Sequence, residues 1–331
     1  GAHRDLHTFP TRGSSDQIPP VSSTKSVARA KQAIREMHEN GITLIGTMEE
    51  KREIEQVLVP LQRARMIRLR VMTLDSPTHE MIAFCKTLAS DPFLEVTGFK
   101  TFVDGSLGSR TAKMYDPWND AKGDGVLTSI VEKGNLHSWA ATVASSGFAP
   151  VIHAIGDRAV GIALDAIESI DQTVVPRIEH AQFISDRDLP RVKDTWFGVQ
   201  PLHQPDDAAI GERSVGTERA LQLHNWRRMI DANAKLSFGS DWPVAPPNPI
   251  SAMTIAIKQG LTPHEALVAS TQNGADSLRT PKAGRLEIGC FGDIAILDRD
   301  PLNCDWKKEA PSVTMTVLAG DIVFTKELNE A

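Results

Sequence analysis

The chain has 331 residues, 41% of them hydrophobic, which is enough apolar material to bury a large core in one large domain or two smaller ones. Its 36 basic and 42 acidic residues leave a net charge of -6, which argues against the basic surface that nucleic acid or an anionic membrane attracts. Three cysteines, Cys85, Cys290 and Cys304, are odd in number and far apart, so neither a disulfide framework nor a paired zinc knuckle is expected and a reducing, cytoplasmic setting fits. No apolar run approaches the ~18 residues of a membrane-spanning helix.

Residues 1–23 hold Pro10, Gly13, Pro19 and Pro20 without periodicity and read as an irregular lead-in. Val27, Ala30, Ile34 and Met37 then mark an amphipathic helix closed by Gly41, followed by a buried strand at Ile42–Ile45. Met66–Leu74 reads as a strand and Ser76-Pro77 as a helix start. The alternation continues with a strand at Phe93–Val103, a helix at Leu136–Ser145, a strand at Ala149–His153, a helix at Ala159–Ile170 and a strand at Thr173–His180. A short helix at Asp188–Val192, a strand at Phe197–Gln200, a long loop, a helix at Leu221–Ile230 and a strand at Lys235–Gly239 complete the series. Seven strands separated by helices argue for a parallel sheet with crossover helices. Polar residues gathered at strand C-termini favour a TIM (β/α)8-type barrel over an open doubly wound sheet, with one strand missing at the start.

The barrel is expected to span residues 24–280. Thr262-Pro-His-Glu265 is a capping box near its end. Residues 281–331, with Gly284-Arg-Leu, Gly289, Gly292–Leu297 and Val313–Val323, read as turn-separated β segments of a small appended sheet.

Four fragments carry chemistry: Gly98–Ala112 (GFKTFVDGSLGSRTA), His153–Ala159 (HAIGDRA), Arg177–Gln182 (RIEHAQ) and Phe238–Val244 (FGSDWPV). They place Lys100, His153, His180 and Asp241 at or just past the ends of apolar runs. Taken singly, each has an ordinary explanation: a snorkelling lysine, hydrogen-bonded core histidines, a helix-capping aspartate. Together they are a candidate ligand set, because imidazole and carboxylate suit a divalent metal such as zinc. A buried lysine can lose its proton, and its neutral amine can then add CO2 to become a carbamate ligand.

These fragments, with QPLH at 200–203 and Gly292–Asp298, strongly resemble the amidohydrolase superfamily, in particular its YtcJ-like branch, which includes N-substituted formamide deformylases. The resemblance covers about residues 24–325. It implies a metal-dependent hydrolase of amide or formamide-like carbon–nitrogen bonds, with esters and cyclic ureides as chemical neighbours. Lys100 would be the carboxylated bridging lysine, His153 and His180 metal ligands, and Asp241 both ligand and general base. Asp104, Ser106, Arg110, Asp157, Arg158, Gln200 and His203 would line the mouth, with His203 stabilising the oxyanion. Asp157 also reads as a helix cap, and Arg177 with Glu179 as an ion pair. The C-terminal β segments would be the remnant of a small β-sandwich.

The His-x-His pair that such a site carries at its start is missing. Asp5-Leu-His-Thr-Phe9 has a phenylalanine where a second histidine would stand, and His3 and His7 are the substitute ligands nearby. The chain therefore resembles the C-terminal two-thirds of a longer protein, and one metal ion or none is expected. The partner is a small amide-like molecule, and an open barrel edge would favour a homo-oligomer. The alternatives are a catalytically inactive barrel that binds at most one metal, and a Schiff-base aldolase with Lys100 as nucleophile, which leaves the histidines and Asp241 without a role.

Overall fold

A computed structural model describes residues 21–89, 91–170 and 174–326. Most of the irregular lead-in, including His3, His7 and the Asp5–Phe9 segment, lies outside the described residues. Helix α1 (Ser23–Glu39) starts where the Ser22 hydroxyl accepts a hydrogen bond from the Lys25 amide, and buries Ile34, Met37 and His38. Strand β1 (Leu44–Glu49) begins later than expected, because the Ile42 amide bonds back to Met37 O and so closes the helix. An unexpected helical run follows: α2 (Lys51–Glu53), a π turn at Ile54–Leu58 and α3 (Val59–Ala64), burying Ile54, Leu58 and Leu61. The wider turn precedes Pro60, which has no N–H to donate.

Strand β2 (Arg68–Thr73) leads to α4 (His79–Lys86), which is capped by Thr78 rather than started at Ser76-Pro77, since the Thr78 hydroxyl accepts from the Met81 amide. Next come β3 (Leu94–Phe102), α5 (Ser129–Glu132), α6 (Leu136–Ser145), β4 (Ala149–Ala154), α7 (Asp157–Glu168), β5 (Arg177–His180) and β6 (Trp196–Val199). The segment after Gln200 is helical, against the expectation of a long loop: a 3-10 turn at Pro201–His203, then α8 (Gln204–Val215) and α9 (Thr217–Ala220). Pro205 followed by Asp206 and Asp207 was a helix start, with carboxylates placed to meet the amide end of the helix. Helix α10 (Trp226–Asp231) is shorter than the sequence suggests; β7 (Lys235–Phe238), α11 (Pro249–Lys258), α12 (Pro263–Ser270) and α13 (Gln272–Ser277) complete the unit. Thr262 and Glu265 form the expected capping box on α12.

Among the described residues, seven strands form one parallel sheet in sequence order, curled in the manner of a TIM-type barrel. Within the described residues, β1 and β7 are its edges. Helices cover the outside through two large apolar clusters, one centred on α6, α7 and β4–β7 and the other on α1, α3, α4 and β1–β3. Inside, the lower end is filled by Met72, Ala149, Val151 and Leu278. Gly46 is needed for this closure, since a Cβ there would sit 2.5 Å from Leu278 Cδ2. Arg279 donates to Gly147 O at 2.7 Å, and Arg70 Nε to Thr280 Oγ1 at 2.7 Å, so residues 278–280 stopper the end opposite the strand C-termini.

Strands β8 (Ile294–Leu297), β9 (Val313–Leu318) and β10 (Asp321–Thr325) form a separate antiparallel sheet, and no strand occupies Gly284–Gly289. This small sheet rests on α1 through a Thr316 Oγ1 to His38 O bond of 2.6 Å. Arg68 joins it to the barrel by a two-point pair with Asp293, at 2.6 and 2.9 Å, with Phe291 stacked 3.7 Å from the guanidinium. Both charged side chains are 5% exposed or less. Removing one partner leaves the other charge buried and alone, so Arg68→Ala should lower unfolding free energy by about 3–5 kcal/mol in denaturant titrations.

Candidate metal and catalytic site

Strand alternation sends Gly98, Lys100 and Phe102 to the inside of the barrel while Phe99 packs outward among the helices. Lys100 is 8% exposed, and its Nζ lies 5.4 Å from the centre of the Phe102 ring. The same ring stands 5.1 Å from His153, which β4 presents one strand away. His153 and His180 meet edge to face, ring centres 4.5 Å apart, from adjacent strands β4 and β5. The end of β5 turns sharply: His180 and Ala181 have φ of 76° and 42°, left-handed values that non-glycine residues adopt only when their surroundings enforce them. Ala181 N is held by Ala154 O at 2.9 Å.

Burial governs the charge of this group. It lowers the Lys100 pKa, an effect opposed by the negative charges of Glu179 and Asp241. Burial, with the Lys100 charge next, pulls His153 down to about 3, and burial followed by the charges of His153 and Lys100 pulls His180 well below the ordinary imidazole value. Both imidazoles are therefore neutral at pH 7, the form that binds a metal. Each has one ring nitrogen committed: His153 Nε2 to Gly105 O at 3.0 Å and His180 Nδ1 to Gln200 Oε1 at 2.8 Å. Two neutral rings, each with a second nitrogen to offer, fit the soft-to-borderline donor set that a zinc-like ion takes.

Asp241 sits in the turn after β7 with φ of 53° and is exposed. Its charge acts on Lys100, but it does not join the histidines in a ready-made cage: among the described residues, no three His, Cys, Asp or Glu side chains gather to hold a metal. His203 opens α8, and its Nε2 lies 3.2 Å from Ser240 O, next to Asp241. The remaining mouth residues are partly spoken for. Asp104 accepts from the Ile155, Gly156 and Lys113 amides at 2.8–3.0 Å, and burial nevertheless lifts its carboxyl to about 7. Asp157 accepts from the Tyr115 and Arg158 amides at 2.8 Å, as a helix-start residue does. Arg110 is clamped on Asp120 by two 2.7 Å bonds, and both ends of the Gln200 amide have protein partners. Ser106 bonds Ser109 at 2.8 Å on the exposed rim, and Arg158 is half-exposed, 3.9 Å from Asp124.

The structure thus brings Lys100, His153 and His180 together and leaves Asp241 and His203 at the margin. Sequence reasoning treated Arg177 and Glu179 as an ion pair, and their side chains do meet at 2.7 Å. What it missed is that the pair lies within reach of Lys100, and that Gly198 makes room for it: a Cβ there would fall 2.1 Å from Glu179 Oε2. The Arg-x-Glu alternation on one strand, facing a glycine on the next, was the available signal.

The chain matches the amidohydrolase family over residues 6–324. It belongs to that family. It is 26% identical over 259 residues to the putative amidohydrolase YtcJ of Bacillus subtilis, covering 72% of this chain and 49% of that one. It is 28% identical over 228 residues to the N-substituted formamide deformylase of Arthrobacter pascens, covering 62% and 41%. The Protein LONG AFTER FAR-RED 3 of Arabidopsis thaliana is 31% identical over 249 residues, covering 69% and 42%. These matches put the chain on the YtcJ-like branch. A metal-dependent hydrolase from Pyrococcus furiosus superposes with a TM-score of 0.74 at 29% identity, over 86% of this chain and 62% of that one. The chain therefore spans about half the length of the curated relatives it matches. Among the described residues, no helix is long and apolar enough to cross a membrane.

Because the folded pKa of His153 is depressed, stability is present above the ordinary histidine value and is lost as the pH falls from about 6.5 toward 3, where only the unfolded chain takes up the proton. His153→Gln, which can still donate to Gly105 O, should flatten the fall between pH 6 and 4 by up to ~1 kcal/mol per pH unit. Chemical denaturation of metal-free wild type and variant across that range measures this.

Proposed function

We propose that this chain carries one zinc-like ion on His153, His180 and Lys100, and that the site serves hydrolysis of amide or formamide-like carbon–nitrogen bonds in a small molecule. The observation that carries this reading is the meeting of two buried, neutral imidazoles beside a buried lysine at the barrel mouth. Burial lowers the Lys100 pKa and so makes its free amine more accessible than that of an ordinary lysine; the free amine is the form that adds CO2, and a carbamate oxygen would be the donor from this residue. A divalent cation held there supplies positive charge that polarises a substrate carbonyl and brings the pKa of water toward ~7.

The protein's own groups do the rest. Asp241, exposed beside the cluster, accepts a proton from the attacking water and returns it to the departing amine nitrogen. His203, whose Nε2–H is turned to Ser240 O beside the Asp241 turn, would release that contact to donate the same N–H to the oxygen on which negative charge develops. Ser106 and Arg158 on the rim, with Asp104, Arg110 and Asp157 holding the loops behind them, shape the entrance. The work is that of a non-membrane, non-nucleic-acid enzyme, and a cytoplasmic location fits its free thiols.

A second reading rests on a specific observation: Asp241 stands outside the histidine pair and no three-ligand cage forms among the described residues. On that reading the barrel binds one ion and does not turn over substrate. Two measurements decide. Elemental analysis after chelation and zinc reconstitution should give one ion per chain, and His153→Ala or His180→Ala should weaken it more than about tenfold; two ions at full occupancy would overturn the one-site assignment. In a form of the protein that hydrolyses an N-formyl amine, Asp241→Asn should lower kcat by about a hundredfold or more while the metal stays. Near-normal turnover in that variant would remove Asp241 as the base. A metal-loaded chain with no turnover on any amide leaves the second reading standing.

A further inference from the structure

Gln200 is 5% exposed, directly after β6, and neither end of its amide reaches solvent chemistry. Its Nε2 donates to Gly198 O at 3.0 Å. Only the NH2 end of an amide can donate to a carbonyl, so this bond settles which way the amide faces: Oε1 points at His180 Nδ1, 2.8 Å away. Oε1 only accepts. His180 Nδ1 must therefore carry the ring hydrogen, which leaves Nε2 bare. A free imidazole in water prefers the other tautomer, so this one is imposed by the site. His153 is set the opposite way by Gly105 O, which accepts from Nε2 at 3.0 Å and leaves Nδ1 bare.

We infer that Gln200 is a positioning residue rather than a substrate contact. Its amide, oriented by the Gly198 carbonyl, holds His180 as the Nδ1–H tautomer and thereby makes Nε2 the atom His180 offers to a metal. The inference rests on the metal-site reading only for its affinity consequence; the tautomer is a property of the metal-free protein. Outer-sphere hydrogen bonds of this kind fix the ring and raise the basicity of the binding nitrogen, and losing one typically costs 10–100-fold in metal affinity. The substitutions separate positioning from mere filling of space. A glutamate at 200 still accepts from Nδ1, but its carboxylate has no N–H for Gly198 O, so it keeps one of the two contacts and loses the other. A leucine or methionine fills similar volume and accepts nothing.

The test uses 15N-labelled metal-free full chain and long-range 1H–15N correlation of the histidine rings, with His180 assigned through its disappearance in His180→Gln. Wild type should show His180 as Nδ1–H and His153 as Nε2–H. Gln200→Glu should keep a hydrogen on His180 Nδ1 and bind zinc more tightly than the leucine variant in chelator competition, although it loses the bond to Gly198 O. Gln200→Leu and Gln200→Met should lose the pure Nδ1–H tautomer and weaken zinc about 10–100-fold, with His153 unchanged as the internal control. A wild-type His180 found as Nε2–H overturns the assignment even if no variant folds. So does a leucine or methionine variant that keeps both the tautomer and the zinc affinity. Absence of zinc binding in wild type with the tautomers as stated would refute the metal site and leave the Gln200 contact intact.

Discussion

The inside of this barrel is organised by buried charge. Lys100, Arg177 and Glu179 occupy the inner face where most parallel barrels place aliphatic side chains. Arg177 and Glu179 offset each other at 2.7 Å, and that pair fits only because Gly198 on the neighbouring strand has no side chain. Burying ions is costly unless they are paired. Among the described residues Lys100 has no partner as close, and burial lowers its pKa from the ordinary lysine value. The histidines above it are kept neutral chiefly by burial, and any positive charge nearby adds to the cost of protonating them; each ring has one bonded nitrogen and one left over.

Holding that state requires a rigid rim. The left-handed backbone at His180, Ala181 and Asp241 stores strain that neighbouring hydrogen bonds must hold in place. Asp104 contributes most on the β3 side. Its three amide donors come from the β4–α7 turn and from the loop after β3, so one buried carboxyl ties the two loops that flank His153. A second tie runs from the end of β5 to α8: the His224 amide bonds Gln182 O, and its ring bonds Asp207 near the start of α8, whose cap residue is His203. The histidine pair is therefore braced from both sides by buried polar groups.

Much of this was legible in the chain. Buried parallel strands are short apolar runs bounded by turn residues, and seven such runs were visible in the right order. Strand ends carrying Lys100, His153, His180 and Asp241 marked the mouth. Helices were harder. Lys51–Ala64 carries its apolar residues through a π turn, which breaks the 3.6-residue period, and α8 follows so closely on His203 that its start looked like loop. The commitments of individual side chains were not legible at all. Gln200 stands 20 residues from His180, and Arg110 ten from Asp120; nothing local says that each amide or guanidinium is already satisfied, because that depends on which strands become neighbours.

The position of the cluster within the sheet has a further consequence. Lys100, His153, His180 and Gln200 lie on or directly after β3, β4, β5 and β6, four consecutive strands with paired neighbours on both sides. Asp241 follows β7, which among the described residues is paired on one side only, through β6. Hydrogen bonds at an edge strand open more easily than those in the middle of a sheet. The two histidines and the lysine are thus set by the middle of the sheet, whereas Asp241, the carboxylate proposed to accept the proton, follows an edge strand and is exposed in a left-handed turn. On the proposed function, metal affinity and proton transfer would therefore rest on different structural supports: the first on the burial and hydrogen bonds set between β3 and β6, the second on whatever steadies the turn after β7.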